Sequence, residues 1–180
     1  MNTRYIVLFF LITTAGLVSC KQAHKKAMSG QETGQATGPL IGLDGDTLQK
    51  VVKTETEWKA ELGEQAYHVL REGGTEPAFT GNFWNNKKEG VYICAGCGLP
   101  LFSSSTKFES GTGWPSFWKP LRQENILEVK DRSHGMTRIE VRCARCGGHQ
   151  GHVFDDGPKP TGLRYCINSV ALNFVPEPQP

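Results

Sequence analysis

From Thr137 to Cys143 the chain alternates polar and apolar residues. Ile139, Val141 and Cys143 fall on one face, and Arg138, Glu140 and Arg142 on the other. This period of two predicts a strand with one face toward a core. Ile126 to Lys130 is its expected partner, with Ser133-His134-Gly135 turning the two into a hairpin. Tyr165 to Phe174 reads as a final strand. Further upstream the period changes. Thr54-Glu55-Thr56-Glu57 has the form of a capping box, in which the first threonine and the last glutamate satisfy each other's backbone amides. Trp58, Leu62, Tyr67, Val69 and Leu70 then give an apolar face to one helix, or to two short ones broken near Gly63, and Gly73-Gly74 stops the pattern. A Pro- and Gly-punctuated loop, Thr75 to Trp84, separates this part from the strands that begin at Val91. The pattern predicts a mainly β fold, with a short helical N-terminal part followed by an antiparallel β domain.

The first residues have another grammar. Arg4 is followed by an apolar run from Tyr5 to Leu11 that continues to Val18, too short for a comfortable membrane span. It ends in Leu17-Val18-Ser19-Cys20, the form of a bacterial lipobox. An ordinary secretory signal that ends near a cysteine is the alternative. The expected organisation is a signal peptide over 1–19, a Gly/Gln/Thr/Ala/Lys-rich tether over 20–46 from a lipidated Cys20, a domain over 47–176 and a tail over 177–180. This places the protein at the bacterial cell envelope, anchored by lipid on the periplasmic face of the outer membrane. A formal net charge of +2 without charge runs gives no footprint for nucleic acid.

The cysteines divide by spacing. Cys94-Ala95-Gly96-Cys97-Gly98 and Cys143-Ala144-Arg145-Cys146-Gly147 repeat one CxxCG pattern. Two such turns supply four thiolates, the ligand set of a closed, structural Zn2+ site. The 45 residues between Cys97 and Cys143 exceed a zinc ribbon, so an insertion separates the knuckles. Two local disulfides, or a redox CxxC motif, are the other readings of the same spacing.

With Cys20 assigned to lipid and four cysteines to metal, Cys166 remains. On a strand Arg164, Cys166 and Asn168 share a face, and a cation beside a thiol favours thiolate. A lone cysteine is also, commonly, a small buried hydrophobe. His149 and His152 follow the second knuckle; a regular strand would point them apart, but Gly151 permits a bend that brings them together. Trp114, Phe117 and Trp118 lie in a Gly/Pro-rich loop able to present an aromatic wall to a small apolar ligand, though core anchoring explains Trp118 as well. Phe117, Phe154 and Arg164 are further candidates for contact with substrate.

Four motifs in order, the paired knuckles, SGTGWPSF, GGHQGHVFDDGP and RYCINS, with TEPAFTG and the DRSHGM stretch, make the chain resemble the methionine-(R)-sulfoxide reductase (MsrB) family over about Thr54 to Phe174. The resemblance implies two small antiparallel sheets with zinc at a distance from the active site. It implies Cys166 as nucleophile, His149 and His152 as the pair that positions water and protonates the sulfoxide oxygen, Asn168 as their orienter, and Trp114 as the wall against the substrate methyl group. The implied substrate is methionine-R-sulfoxide in proteins or peptides, and the implied reductant a thioredoxin-like protein or another thiol. Many family members carry a resolving cysteine in the WPSF loop, where this chain has Thr112. A one-cysteine enzyme, monomeric and regenerated by an external thiol, is therefore expected. A Cys-His-Asn hydrolase built on Cys166, His152 and Asn168 and a non-catalytic zinc-stabilised binding module are the competing readings.

Overall fold

The structure, a computed structural model, describes residues 38–178. The stretch expected to be a signal peptide, Cys20 and most of the expected tether lie outside the described residues. A small hairpin, β1 (Leu40–Ile41) with β2 (Thr47–Leu48), comes first. Its first strand falls in the end of the expected tether and its second at the start of the expected domain. It is docked: Leu40 is buried, and the side-chain amide of the buried Asn125 donates to Ile41 O and accepts from Ile41 N–H.

Helix α1 (Glu55–Glu72) starts with the expected box: the Thr54 hydroxyl accepts from Glu57 N–H, and the Glu57 carboxylate accepts from Thr54 N–H. Such a cap contributes about 1 kcal/mol. The helix is interrupted where foreseen, at Gly63 (φ 70°, ψ 168°), and ends on Gly73 in the left-handed region. Trp58, Val69 and Leu70 are buried, and the helix packs against β9 (His149–Phe154) and the 3-10 turn Ser169–Ala171.

The remaining strands are β3 (Gly90–Cys94), β4 (Pro100–Ser103), β5 (Lys107–Phe108), β6 (Ser116–Phe117), β7 (Ile126–Asp131), β8 (Arg138–Cys143), β10 (Arg164–Ile167) and β11 (Leu172–Pro176). Six form an antiparallel sheet in the order β5-β6-β10-β9-β8-β7, and three form a second in the order β11-β3-β4. The two antiparallel sheets match the expected fold class. The β7–β8 hairpin forms as expected, pairing Ile126 with Cys143 through Asp131 with Arg138.

Two expectations are corrected. The final strand, read as continuous from Tyr165 to Phe174, is two strands in different sheets. The 3-10 turn Ser169–Ala171 carries the chain from β10 to β11. Asn168 and Ser169 are residue types whose side chains compete for backbone bonds and favour such breaks. Phe117, proposed to touch substrate, is fully buried; its ring stacks on Phe102 at 4.5 Å and meets Tyr92 edge-on. A strand places alternate residues on opposite faces, so Ser116 faces away from the side that Phe117 fills.

Candidate active site

Cys166 lies on a central strand. Across one ladder it is registered with His152 of β9, and across the other with Ser116 of β6. Gly151 makes the approach of β9 possible: a Cβ there would lie 2.0 Å from the Cys166 carbonyl oxygen, and its φ of 154° is one that side-chain-bearing residues rarely adopt. A register shift on β8 between Val141 and Arg142 accompanies it. The bend brings the His149 and His152 rings to 5.4 Å between centroids, which a regular strand would not do.

Each histidine rests on a carboxylate that the sequence did not single out. His149 Nδ1 lies 2.7 Å from Glu140 Oε1, and His152 Nε2 lies 2.8 Å from Asp131 Oδ2. Glu140 stands on the polar face of the alternating strand, yet it is only 8% exposed. Burial raises its pKa, but hydrogen bonds from His149 and Arg142 outweigh this and hold it near about 2. Bonds from the Ser133 hydroxyl and N–H, from His152 and from Arg138 hold Asp131 well below the usual carboxylate range. Both acids are ionised at neutral pH, so the facing ring nitrogens, Nδ1 of His149 and Nε2 of His152, carry protons. Burial depresses the pKa of His152 despite Asp131, leaving it a neutral imidazole with Nδ1 as acceptor. His149 Nε2 is buried and has no hydrogen-bond partner among the described residues. The only sequence signal for the two acids was their place near the turn of the β7–β8 hairpin, Asp131 at the end of β7 and Glu140 two residues into β8; alternation alone pointed Glu140 away from the core face.

Around the sulfur, hydroxyls occupy the WPSF loop. Thr112 Oγ1 is 3.9 Å from Cys166 Sγ, and Ser110 Oγ lies 2.8 Å from Thr112 Oγ1 and 2.7 Å from Ser116 Oγ. Thr112 therefore stands beside the thiol. Arg164 makes a bidentate pair with Asp156 at 2.8 Å on both arms, and its guanidinium covers the Phe154 ring at 4.4 Å. Phe154 and Arg164 thus pack on each other next to His152, whose ring centroid is 6.4 Å from that of Phe154. Burial pushes the Cys166 thiol up; Arg164, Thr112 and Ser116 oppose that shift without cancelling it. The neighbouring cation favours thiolate, as the sequence suggested, but the net balance leaves a thiol at rest.

The sign of that balance is testable. A raised pKa means less thiolate at neutral pH than in a free cysteine, so iodoacetamide labelling of Cys166 should climb with pH through and beyond the ordinary thiol range. Arg164→Met removes a group that lowers the pKa, so the profile should move further up and the labelling rate at pH 8 should fall roughly 3- to 10-fold. Mass spectrometry of the Cys166 peptide reads both; a profile displaced to lower pH than that of free cysteine contradicts the assignment.

Asn168 is not on the strand face with Cys166. It is buried and follows β10, and its amide is engaged by backbone: Oδ1 accepts from Glu76 N–H at 3.0 Å, and Nδ2 donates to Gln150 O at 3.1 Å. It positions chain segments; no hydrogen bond joins it to either histidine. Trp114 is half-buried, with its indole N–H donating to Glu76 O at 3.1 Å.

Beyond β9 lie the knuckles. The Sγ atoms of Cys94, Cys97, Cys143 and Cys146 all lie within 4.8 Å of one another, with Cys94–Cys146 at 3.7 Å and Cys97–Cys143 at 3.5 Å. Tetrahedral zinc with bonds near 2.3 Å separates its sulfurs by about 3.8 Å, so the cage fits Zn2+. No disulfide joins any of the four, and the close approaches Cys94–Cys146 and Cys97–Cys143 cross between the knuckles, which favours one shared ion over two local disulfides. Gly98 and Gly147, both with positive φ, fold each turn back so that their amides reach Cys94 O and Cys143 O. Gln150, fully buried, links the two centres: its side-chain NH2 donates toward Cys94 Sγ at 3.5 Å, while its backbone carbonyl accepts from the Asn168 side chain.

A thiol in register with one of two paired histidines, on a two-sheet β scaffold that also carries a closed four-cysteine cage, defines a zinc-stabilised thiol enzyme. The SelR domain matches residues 62–176 of the chain. Curated relatives include the peptide methionine sulfoxide reductase MsrB of Methylibium petroleiphilum, 59% identical over 131 residues that make up 73% of this chain and 95% of the relative. That of Methanosarcina barkeri is 60% identical over 72% and 92%, and that of Leptospira interrogans 56% over 71% and 98%. The chain belongs to the MsrB family of peptide methionine sulfoxide reductases.

Proposed function

We propose that the protein reduces methionine-R-sulfoxide, in peptides or proteins, to methionine. The observation that carries the reading is Cys166 paired in register with His152, beside His149, with every other cysteine among the described residues gathered in the four-cysteine cage. The Cys166 sulfur attacks the sulfoxide sulfur, and the oxygen takes a proton. That proton is the one the Cys166 thiol gives up; the buried, unpartnered His149 Nε2, an acceptor while Nδ1 faces Glu140, is the place to receive it, directly or through a water, and to pass it to the oxygen. The S–O bond to methionine breaks. Methionine sulfur gains two electrons, and Cys166 loses two and becomes a sulfenic acid. Thr112 offers a hydroxyl where a resolving thiol would act, so two equivalents of external thiol return Cys166 to the thiol, releasing a disulfide and water. A thioredoxin-like protein suits that role. Zinc supplies stability and takes no step in the reaction.

Lipid anchorage at Cys20 belongs to the same proposal, supported by Leu17-Val18-Ser19-Cys20, and would place a monomeric repair enzyme on a tether at the envelope, against oxidised envelope proteins. No helix among the described residues is long and apolar enough to cross a membrane.

The deciding experiment is turnover of R and S sulfoxide peptides with dithiothreitol, then with thioredoxin. The R epimer should be consumed and the S epimer left. Cleavage of the peptide with no loss of sulfoxide would instead favour the hydrolase reading.

A further inference from the structure

The TEPAFTG stretch has no part in the chemistry so far, yet it holds a buried acid. Glu76 is 4% exposed. One carboxylate oxygen accepts from Ser169 N–H at 2.5 Å, and the other from Val170 N–H at 2.9 Å. These amides open the 3-10 turn that follows β10, the strand of Cys166. The Glu76 N–H donates to Asn168 Oδ1 at 3.0 Å, and its carbonyl accepts the Trp114 indole N–H at 3.1 Å. One residue therefore bonds to both sides of the active site, the turn leaving the nucleophile's strand and the aromatic wall.

The surroundings are built for it. A buried carboxylate is costly unless its oxygens are bonded, and two backbone amides in charge-assisted bonds meet that need. A Cβ at Gly81 would come within 2.3 Å of Ser169 Oγ and 2.7 Å of Glu76 Oε1, so the loop closes over the carboxylate only without a side chain. Phe79 holds φ 65° while its N–H donates to Gly113 O at 2.9 Å, which straps the same loop to the segment carrying Trp114. A bulky residue stays in that region only when its neighbours enforce it.

We infer that Glu76 is a positioning residue for sulfoxide reduction: its carboxylate, clamped on the amides of Ser169 and Val170, sets the indole of Trp114 and the amide of Asn168 relative to Cys166. The inference rests on the proposed reductase reading. Glu76 touches neither sulfur nor substrate and acts through the two side chains its backbone holds. Glu76→Gln keeps the shape but turns an NH2 group toward a backbone N–H, so the clamp opens on one side.

The test measures KM, kcat and the Trp114 indole N–H resonance, assigned by its loss in Trp114→Phe. In Glu76→Gln the KM for an R-sulfoxide peptide should rise roughly tenfold, because a displaced wall loses binding common to ground and transition states. kcat should fall by a smaller factor, and the indole resonance should shift. Gly81→Ala crowds the same carboxylate from the other side and should move KM and the resonance in the same direction, which decides the matter if Glu76→Gln does not fold. A purely structural role would lower the melting temperature and Vmax while KM and the resonance of the folded protein stay at wild-type values; that result overturns the inference. Wild-type protein inactive on every sulfoxide would instead refute the reductase reading.

Discussion

Cys166→Ser should abolish sulfoxide reduction, lowering turnover by about a thousandfold or more, because the oxygen of the substrate then has no sulfur to accept it. Serine is near-isosteric at this half-buried site, so the fold should survive. The matching result in the wild-type protein is chemical. One equivalent of sulfoxide, added without reductant, should give a Cys166 that reacts with dimedone. Thr112 is the neighbour at 3.9 Å and cannot form a disulfide. The other described cysteines are gathered in the metal cage. Mass spectrometry decides: an intramolecular disulfide that includes Cys166 would refute the one-cysteine cycle.

The second large effect concerns the cage. Stripping zinc with a strong chelator, or replacing Cys143 by Ser, should unfold the domain or lower its melting temperature steeply. Structural zinc sites of this kind contribute on the order of 10 kcal/mol. The cage ties β3 to the segment between β8 and β9, and Gln150 carries that tie to Asn168. Activity should therefore be lost together with the fold. Metal analysis should find one zinc per chain, and thermal melts with and without chelator should separate widely. Fully active protein that holds no metal would contradict the assignment.

Much of this was legible beforehand because it is local. The capping box, the interruption at Gly63 and the β7–β8 hairpin follow from residues a few positions apart. The CxxCG spacing likewise marks the four metal-ligand candidates, and the resemblance carried by the ordered motifs points to Cys166 as the candidate nucleophile. What was misread involved residues far apart in sequence. Phe117 looked like part of a substrate wall, but Phe102 and Tyr92 from another sheet claim its ring. Tyr165 to Phe174 looked like one strand, but it is shared between two sheets. Glu140 looked solvated by alternation, but β9 covers it with His149.

The sequence by itself determined the chemistry available from Thr54 onward: four cysteines spaced for a cage, one more in Cys166, two histidines near a glycine, and a threonine where a second thiol could have been. The tertiary structure alone decided which groups act together. It aligned Cys166 between His152 and Ser116, assigned Glu140 and Asp131 to separate histidines, and placed Glu76 under both Trp114 and the turn after Cys166. The physical reason is range: caps, turns and knuckles are set by neighbours along the chain, whereas ionisation, burial and aim depend on partners brought in by sheet register and packing.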